Sequence, residues 1–292
     1  MNRFLLVCVT AVLPFLSFSQ DSEIGLIFGA TGYSGDITPT SKMLSTGNHH
    51  ASLSIFGRLD FNRFVAGRAS LMFGKISSSD ADARSEALRA RNLSFQSNLT
   101  ELAGIIEINP LGTNSMGYRF QPYVYGGVAF FHFKPEANYS GQLVELQPLG
   151  TEGQGMDGFG EKYRLNQISI PMGIGVKYRI TERINLGFDI GLRKTFTDYL
   201  DDVSGTYVNY NELLAGNGSV AAALGNRQGE LIEPGTEPVL VETGAQRGNP
   251  DNKDWYYNAG VTLSYTFFGS TKRKIKGRNP TGREFGCPAT RF

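Results

Sequence analysis

Three histidines, His49, His50 and His132, are the side chains best suited to acid–base chemistry in this 292-residue chain. Ser77 to Ser79, with Asp80, Asp82, Asp198, Asp201 and Asp202, could supply the nucleophile and orienting carboxylate of a Ser-His-acid hydrolase. No spacing specifies such a triad, and His49-His50 reads equally well as the polar start of a strand. Asp198-x-x-Asp201-Asp202 and Asp251-Asn252-x-Asp254 are oxygen-rich, but neither has a calcium-loop spacing with its glycine. These acids are therefore expected to be solvated in loops. Gly29-Ala-Thr-Gly32-Tyr-Ser-Gly35 follows an apolar strand as a dinucleotide-binding fingerprint does, where glycines bring backbone amides to a pyrophosphate at a helix N-terminus. Asp36-Ile-Thr-Pro39 comes next, with a proline and no apolar stripe of period 3.6, so the required helix is missing. The expectation is a non-enzyme with no cofactor, no metal and no small-molecule substrate.

The elements that would hold these residues have period two. In Trp255–Phe268 an apolar, aromatic face (Trp255, Tyr257, Ala259, Val261, Leu263, Tyr265, Phe267) alternates with a small, polar one. Its aromatics sit at the two ends, where a membrane strand places interfacial girdles. Seven more candidates follow the same rule: Glu23–Tyr33, Ala51–Leu59, Phe64–Lys75, Phe95–Ile108, Phe120–Phe133, Leu165–Ile180 and Ile184–Thr195. Each long run matches a tilted strand crossing a bilayer. Short connections (Asp60–Arg63, Asn109–Arg119, Thr181–Arg183) alternate strictly with long ones, the longest being Phe196–Asn252. In an up-and-down barrel this sorting puts every long loop at one rim, and every turn plus both termini at the other, as in outer-membrane barrels.

The sequence thus predicts an all-β fold, an eight-stranded antiparallel up-and-down transmembrane β-barrel. Its predicted limits are a signal peptide over 1–19, the barrel over 20–268 and a basic periplasmic tail over 269–292. Met1-Asn2-Arg3, the apolar run Phe4–Phe18 and Ser17-Phe18-Ser19 have the layout of a secretory signal. Cys8 falls inside it, which leaves Cys287 alone and no internal disulfide framework. The formal net charge of +1 gives no reason to expect a nucleic-acid partner.

Arg68, Glu101, Glu107, Lys177 and Asp189 fall on the polar phase of their strands, as do Arg58, Arg179 and Arg193. An eight-stranded barrel is only wide enough to be packed by its own side chains, so these charges should pair in a filled lumen. For Arg58, Arg179 and Arg193 a place near a strand end in water is an equal reading. Asn258-x-Gly260-x-x-Leu263-x-Tyr265 resembles the signal by which barrel-assembly machinery recognises a closing strand. The tail carries Lys272, Arg273, Lys274, Lys276, Arg278 and Arg283 beside Cys287, with one acid, Glu284. On the turn side it would suit an acidic periplasmic protein or inner-leaflet phosphates.

Several loop segments carry a resemblance. Ser79–Asp82, Arg91–Gln96, Glu145–Gly155, Arg193–Ser204 and Gln246–Asn249 through Lys253–Tyr256 resemble the PorG-like outer-membrane barrels of Bacteroidota. The resemblance implies residence in a bacterial outer membrane, with long loops extracellular and both termini periplasmic. It also implies a structural role in the type IX secretion system, linking outer-membrane lipids to a periplasmic lipoprotein and ring proteins. It carries over no catalytic residue. The alternatives are a barrel enzyme with rim histidines acting on lipid or peptide, and a small channel or adhesion barrel.

Overall fold

The computed structural model describes residues 21–37, 48–112, 119–231 and 240–267. The expected signal peptide and basic tail, with Lys272, Arg273, Lys274, Lys276, Arg278, Arg283 and Cys287, lie outside the described residues. The strands are β1 (Ser22–Ser34), β2 (His50–Asp60), β3 (Val65–Ser79), β4 (Ser94–Ile108), β5 (Phe120–Tyr139), β6 (Gln142–Glu145), β7 (Asn166–Arg179), β8 (Ile184–Thr195) and β9 (Trp255–Phe267). Among the described residues three short α-helices lie in the long loops: α1 (Glu86–Arg91), α2 (Tyr210–Asn217) and α3 (Ser219–Gly225). No helix among the described residues is long and apolar enough to cross a membrane.

Eight of the strands close a barrel, each antiparallel to its neighbours in the order β1-β2-β3-β4-β5-β7-β8-β9. β9 returns to β1 in a continuous register from Ser22 opposite Phe267 to Ser34 opposite Trp255. Gly29 faces Gly260 in that seam, and a Cβ at Gly29 would collide with the Ala259 carbonyl. Closure leaves no free edge across the barrel wall, a requirement for backbone in lipid. One ladder has a gap: β5 and β7 pair at Gly126–Met172 and again at Ala129–Ser169, but not between. Pro171 lies in the gap and has no N–H to give.

Alternation decides which side chain meets lipid. Ile24, Leu26, Phe28, Leu53, Ile55, Leu102, Val128, Phe130, Ile174, Phe188, Val261 and Leu263 point outward and are exposed. A soluble domain rarely leaves so large a continuous apolar surface bare; around a barrel it is the lipid-facing band. Phe61, Phe64, Phe120, Tyr265 and Phe267 border it at the turn rim, and Trp255 and Tyr257 at the other. The fold is therefore a transmembrane barrel.

Two strands outrun the lengths expected from sequence. β3 continues to Ser79 rather than Lys75, and β5 to Tyr139 rather than Phe133, where it turns into β6. Their inward residues Ile76, Phe133 and Ala137 stay buried above the wall, against Ile37, Leu93, Leu146, Leu200, Val203 and Leu224 of the loops. The outward residues there turn polar: Ser77, Gln96, Lys134 and Glu136. Pairing continues beyond the lipid band because the loops supply the second apolar layer.

Candidate functional site

The lower lumen is filled by charge. Arg58 reaches Glu107 at 2.6 Å and both Glu23 and Asp60 at 3.2 Å. Arg68 bridges Glu107 (3.2 Å) and Asp189 (3.0 Å), and Lys177 meets Glu23 at 2.8 Å. Arg193 pairs with Glu101 at 3.1 Å and donates to Asn258. The hydroxyls of Tyr123 and Tyr125 donate to the two oxygens of Asp189, at 2.9 and 2.8 Å, and Tyr256 donates to Glu101 at 2.6 Å. Bringing the charges of six strands into one lumen needs space, and glycine provides it. The Tyr123 and Tyr125 rings lie where a Cβ at Gly175 or Gly173 would stand.

Arg68, Glu101, Glu107, Lys177 and Asp189 are thus all inside the barrel and all paired. Of the three arginines with two readings, Arg58 and Arg193 are buried in the lumen and Arg179 is half-buried at the turn end. Each buried ion has a counter-ion in reach, which a low-dielectric site demands. The network fills the lower lumen with paired side chains.

Above it the lumen becomes apolar. Met72, Leu99, Phe131, Phe133 and Tyr256 join the loop residues in one core. Over that core three loops and the end of β1 are laced together by two arginines. Arg91, the last residue of α1, grips both oxygens of Asp80 at 2.7 Å and reaches the Arg247 carbonyl (2.7 Å) and the Asp36 carbonyl (2.9 Å). Arg247 reaches Glu152 at 2.8 Å, the Asp202 carbonyl at 2.7 Å and the Gly225 carbonyl at 3.2 Å. Tyr163 donates to Asp202 at 2.6 Å and stacks on Tyr199, ring centroids 4.6 Å apart. A cavity in this cap, between Ile37, Asp201, Leu224 and Arg247, is about 10 Å³ and holds a single water at most.

The acids expected to be solvated prove otherwise. Asp198, Asp201, Asp202 and Asp254 are buried, and only Asp251 of that group is exposed. Loop backbone turned inward needs acceptors for its N–H groups, and carboxylates provide them. Asp201 accepts from the backbone of Ile37 and Val203, and Asp254 from Leu200. The Tyr33 hydroxyl stands between them, 2.6 Å from Asp201 and 2.8 Å from Asp254. One hydroxyl hydrogen can serve only one of these, and a proton on the other carboxyl, donated to the Tyr33 oxygen, is the arrangement that satisfies both contacts. Asp201 has the backbone donors that suit an anion, which leaves Asp254 as the protonated partner. Burial raises both above the ordinary carboxylate range, Asp254 the further. Burial also pushes Asp202 up to about 6, against the opposing pull of Arg247, Thr151 and Tyr163.

The length of Phe196–Asn252 suffices for that loop to fold over the lumen, but sequence reasoning did not identify the residues that lace the cap. The available signal lay in the resembling loop segments, which hold Asp80, Arg91, Glu152, Asp201, Asp202, Arg247 and Asp254. The rim histidines are dispersed. His50 Nε2 is 2.7 Å from Ser77 Oγ, His49 packs edge-on to Tyr257, and exposed His132 touches Asn166. Asp80 is committed to Arg91, and Asp201 and Asp202 to the cap. A serine and a histidine meet, but no carboxylate among the described residues orients the imidazole as a hydrolase requires. Among the described residues no cluster of His, Cys, Asp and Glu could hold a metal ion.

Among solved structures, the chain is similar to the attachment invasion locus protein Ail of Yersinia pestis. Identity is 10%, over 86% of this chain and 100% of that one, with a TM-score of 0.38. Outer membrane protein OprG of Pseudomonas aeruginosa is 11% identical, over 85% and 96%, with a TM-score of 0.39. A major outer membrane protein of Thermus thermophilus is 13% identical, over 84% and 99%, with a TM-score of 0.40. No curated protein matches the sequence. A family model described as Domain of unknown function (DUF6089) matches residues 2–221, and the chain belongs to that family.

Proposed function

We propose that this protein is a non-enzymatic anchor in a bacterial outer membrane, an accessory subunit of the type IX secretion machinery. It ties periplasmic ring components, a lipoprotein and its partner, to the membrane. The observation that carries the reading is the sealed lumen: charge pairs below and an apolar core with a laced cap above leave only outer surfaces to work with. A filled barrel conducts nothing, and a Ser–His contact without an orienting acid is no hydrolase. The loops that build the cap are those in which the PorG-like resemblance resides.

In this reading the long loops face outside and the turns face the periplasm. The turn rim presents Phe61, Arg63, Phe64, Ile180 and Arg183, and β9 ends on the same side at Phe267. The basic segment Gly269–Phe292 follows it in sequence and suits an acidic partner. Deleting Gly269–Phe292 is expected to leave a folded, heat-modifiable barrel that no longer retains periplasmic secretion partners in a pull-down from native membranes. Full retention of every partner refutes the tether. Ordered single-channel currents in a planar bilayer would replace the anchor by a channel.

A further inference from the structure

We infer that the outer wall of the barrel, at its long-loop rim, carries a binding site for the phosphate group of a membrane lipid. The site is formed by Lys75, His49, His50 and Ser77, with Lys194 extending it around the wall. The inference goes beyond the anchor reading and rests only on the barrel lying in a membrane.

Position comes first. β2 begins at His50, and Lys75 and Ser77 lie on the outward face of β3 where the apolar band below, with Leu53, Ile55 and Phe73, gives way to polar residues. The Thr31 hydroxyl fixes the two backbones, donating to the Lys75 carbonyl at 2.5 Å and lying 3.3 Å from that of His50. Trp255 and Tyr257 stand beside the cluster on β9, with the Tyr257 ring against His49 and the Trp255 ring under the Lys194 ammonium. Aromatics of this kind mark the headgroup level of a bilayer. The lysines and imidazoles are therefore held where lipid phosphates lie.

Charge comes second. The contacts that these groups make are neutral: Lys75 with the Gln96 oxygen at 2.6 Å, His50 with Ser77, His49 with Tyr257, Lys194 with Trp255. The charged neighbours that act on His50 are Lys75 and His49, both of the same sign when protonated. Elsewhere on the wall the balance differs. Lys134 is neutralised by Glu145 at 2.6 Å and Glu136 at 3.2 Å. Among the described residues no carboxylate pairs with Lys75 or Lys194, and two lysines with imidazole and hydroxyl donors, beside aromatics and above an apolar wall, match a phosphate monoester with acyl chains below it. The apolar wall selects a lipid over a free phosphate ion, which would gain nothing from it.

The test is native mass spectrometry of the full-length protein released from nanodiscs. The nanodiscs contain either a phosphorylated acylated disaccharide lipid or the same lipid after phosphatase treatment. Wild type is expected to retain the phosphorylated form roughly tenfold better, and Lys75→Gln/His50→Gln to lose that preference. Lys134→Gln, at the neutralised position, should retain the lipid as wild type does. If the double variant fails the heat-modifiability check for folding, His49→Gln/Lys194→Gln at outward positions makes the same comparison. Equal retention of the two lipids by wild type overturns the site, as does full retention by the folded variant. Displacement of the lipid by millimolar inorganic phosphate overturns the lipid assignment in favour of a soluble anion.

Discussion

The lumen and the cap both bury many ionisable groups, and they settle the cost in opposite ways. In the lumen Arg58, Arg68, Lys177 and Arg193 face Glu23, Asp60, Glu101, Glu107 and Asp189, and ions are paired with ions. In the cap Asp80, Glu152, Asp201, Asp202 and Asp254 share two arginines, Arg91 and Arg247. The rest of their charge is met by backbone N–H groups, tyrosine hydroxyls and a retained proton. Strands use up their own backbone groups in ladders, so charged side chains on a barrel wall can find partners only in other side chains. Loops have backbone donors to spare. The lumen is consequently a fixed brace, and the cap is a structure that responds to its proton count.

Breaking the brace should have the largest effect. Arg68→Ala strips counter-charge from both Glu107 and Asp189 in a buried site. The expected loss is about 3–5 kcal/mol of barrel stability, read as a lower urea midpoint of the heat-modifiable form. A loss below about 1 kcal/mol would mean that Arg58 and the two tyrosines carry those carboxylates alone, and that the lumen is more plastic than its geometry implies.

Cutting the cap should cost less and stay local. Arg247→Ala leaves Glu152 to the backbone N–H groups of Ser204 and Gly205 and removes the contacts to the Asp202 and Gly225 carbonyls. About 2–3 kcal/mol of cap stability should go. Limited proteolysis should then cleave within 196–254 while the barrel keeps its gel mobility. Simultaneous loss of barrel and cap would show that the two regions form one cooperative unit, contrary to the distinction drawn between them.

What could be read from sequence follows the same division. Alternation in β7, β8 and β9 is local, so the wall, the phase of each inner residue and the sorting of loops were legible. Which ions pair was not, because contacts such as Arg68 to Asp189 or Lys177 to Glu23 join strands far apart in the chain. The ends of β3 and β5 were misjudged for a related reason: whether Ile76 or Ala137 is covered depends on Leu200, Val203 and Leu224, which arrive from another loop. Asp201, Asp202 and Asp254 sit in or beside a long aperiodic segment where solvation is the ordinary expectation. Only the folded cap reveals that they accept backbone hydrogen bonds. The alanine run of Ser219–Gly225 is a local helix signal and forms α3, whereas α2, started by Asn209 accepting from the Asn211 N–H, has no comparable run.

The smallest expected effect is also the most diagnostic of a proton held in the cap. Asp201, Asp202 and Asp254 have folded-state pKa values raised above those of an unfolded chain, so the folded cap binds more protons than the unfolded one. Their contribution is fully present below the ordinary carboxylate range near pH 4. It is lost as pH rises, through about 6 for Asp202 and higher for the Tyr33-bridged pair. Hydrogen exchange at the Leu200 and Val203 amides, corrected for intrinsic rate, should show the cap opening roughly tenfold more often at pH 9 than at pH 5. Asp254→Asn should remove the part of that dependence above the Asp202 range and leave the part near pH 6. Its amide can donate to the Tyr33 oxygen while its carbonyl accepts from Leu200, the two contacts of a protonated Asp254. Asp201→Asn should weaken the cap at every pH, because both Asp201 oxygens accept backbone N–H groups and an amide NH₂ would face one of them. The reverse pattern, with Asp201→Asn tolerated and Asp254→Asn disruptive, would move the proton to Asp201. Flat exchange in wild type would mean that both carboxyls are ionised, and that the cap is braced by charge in the same manner as the lumen.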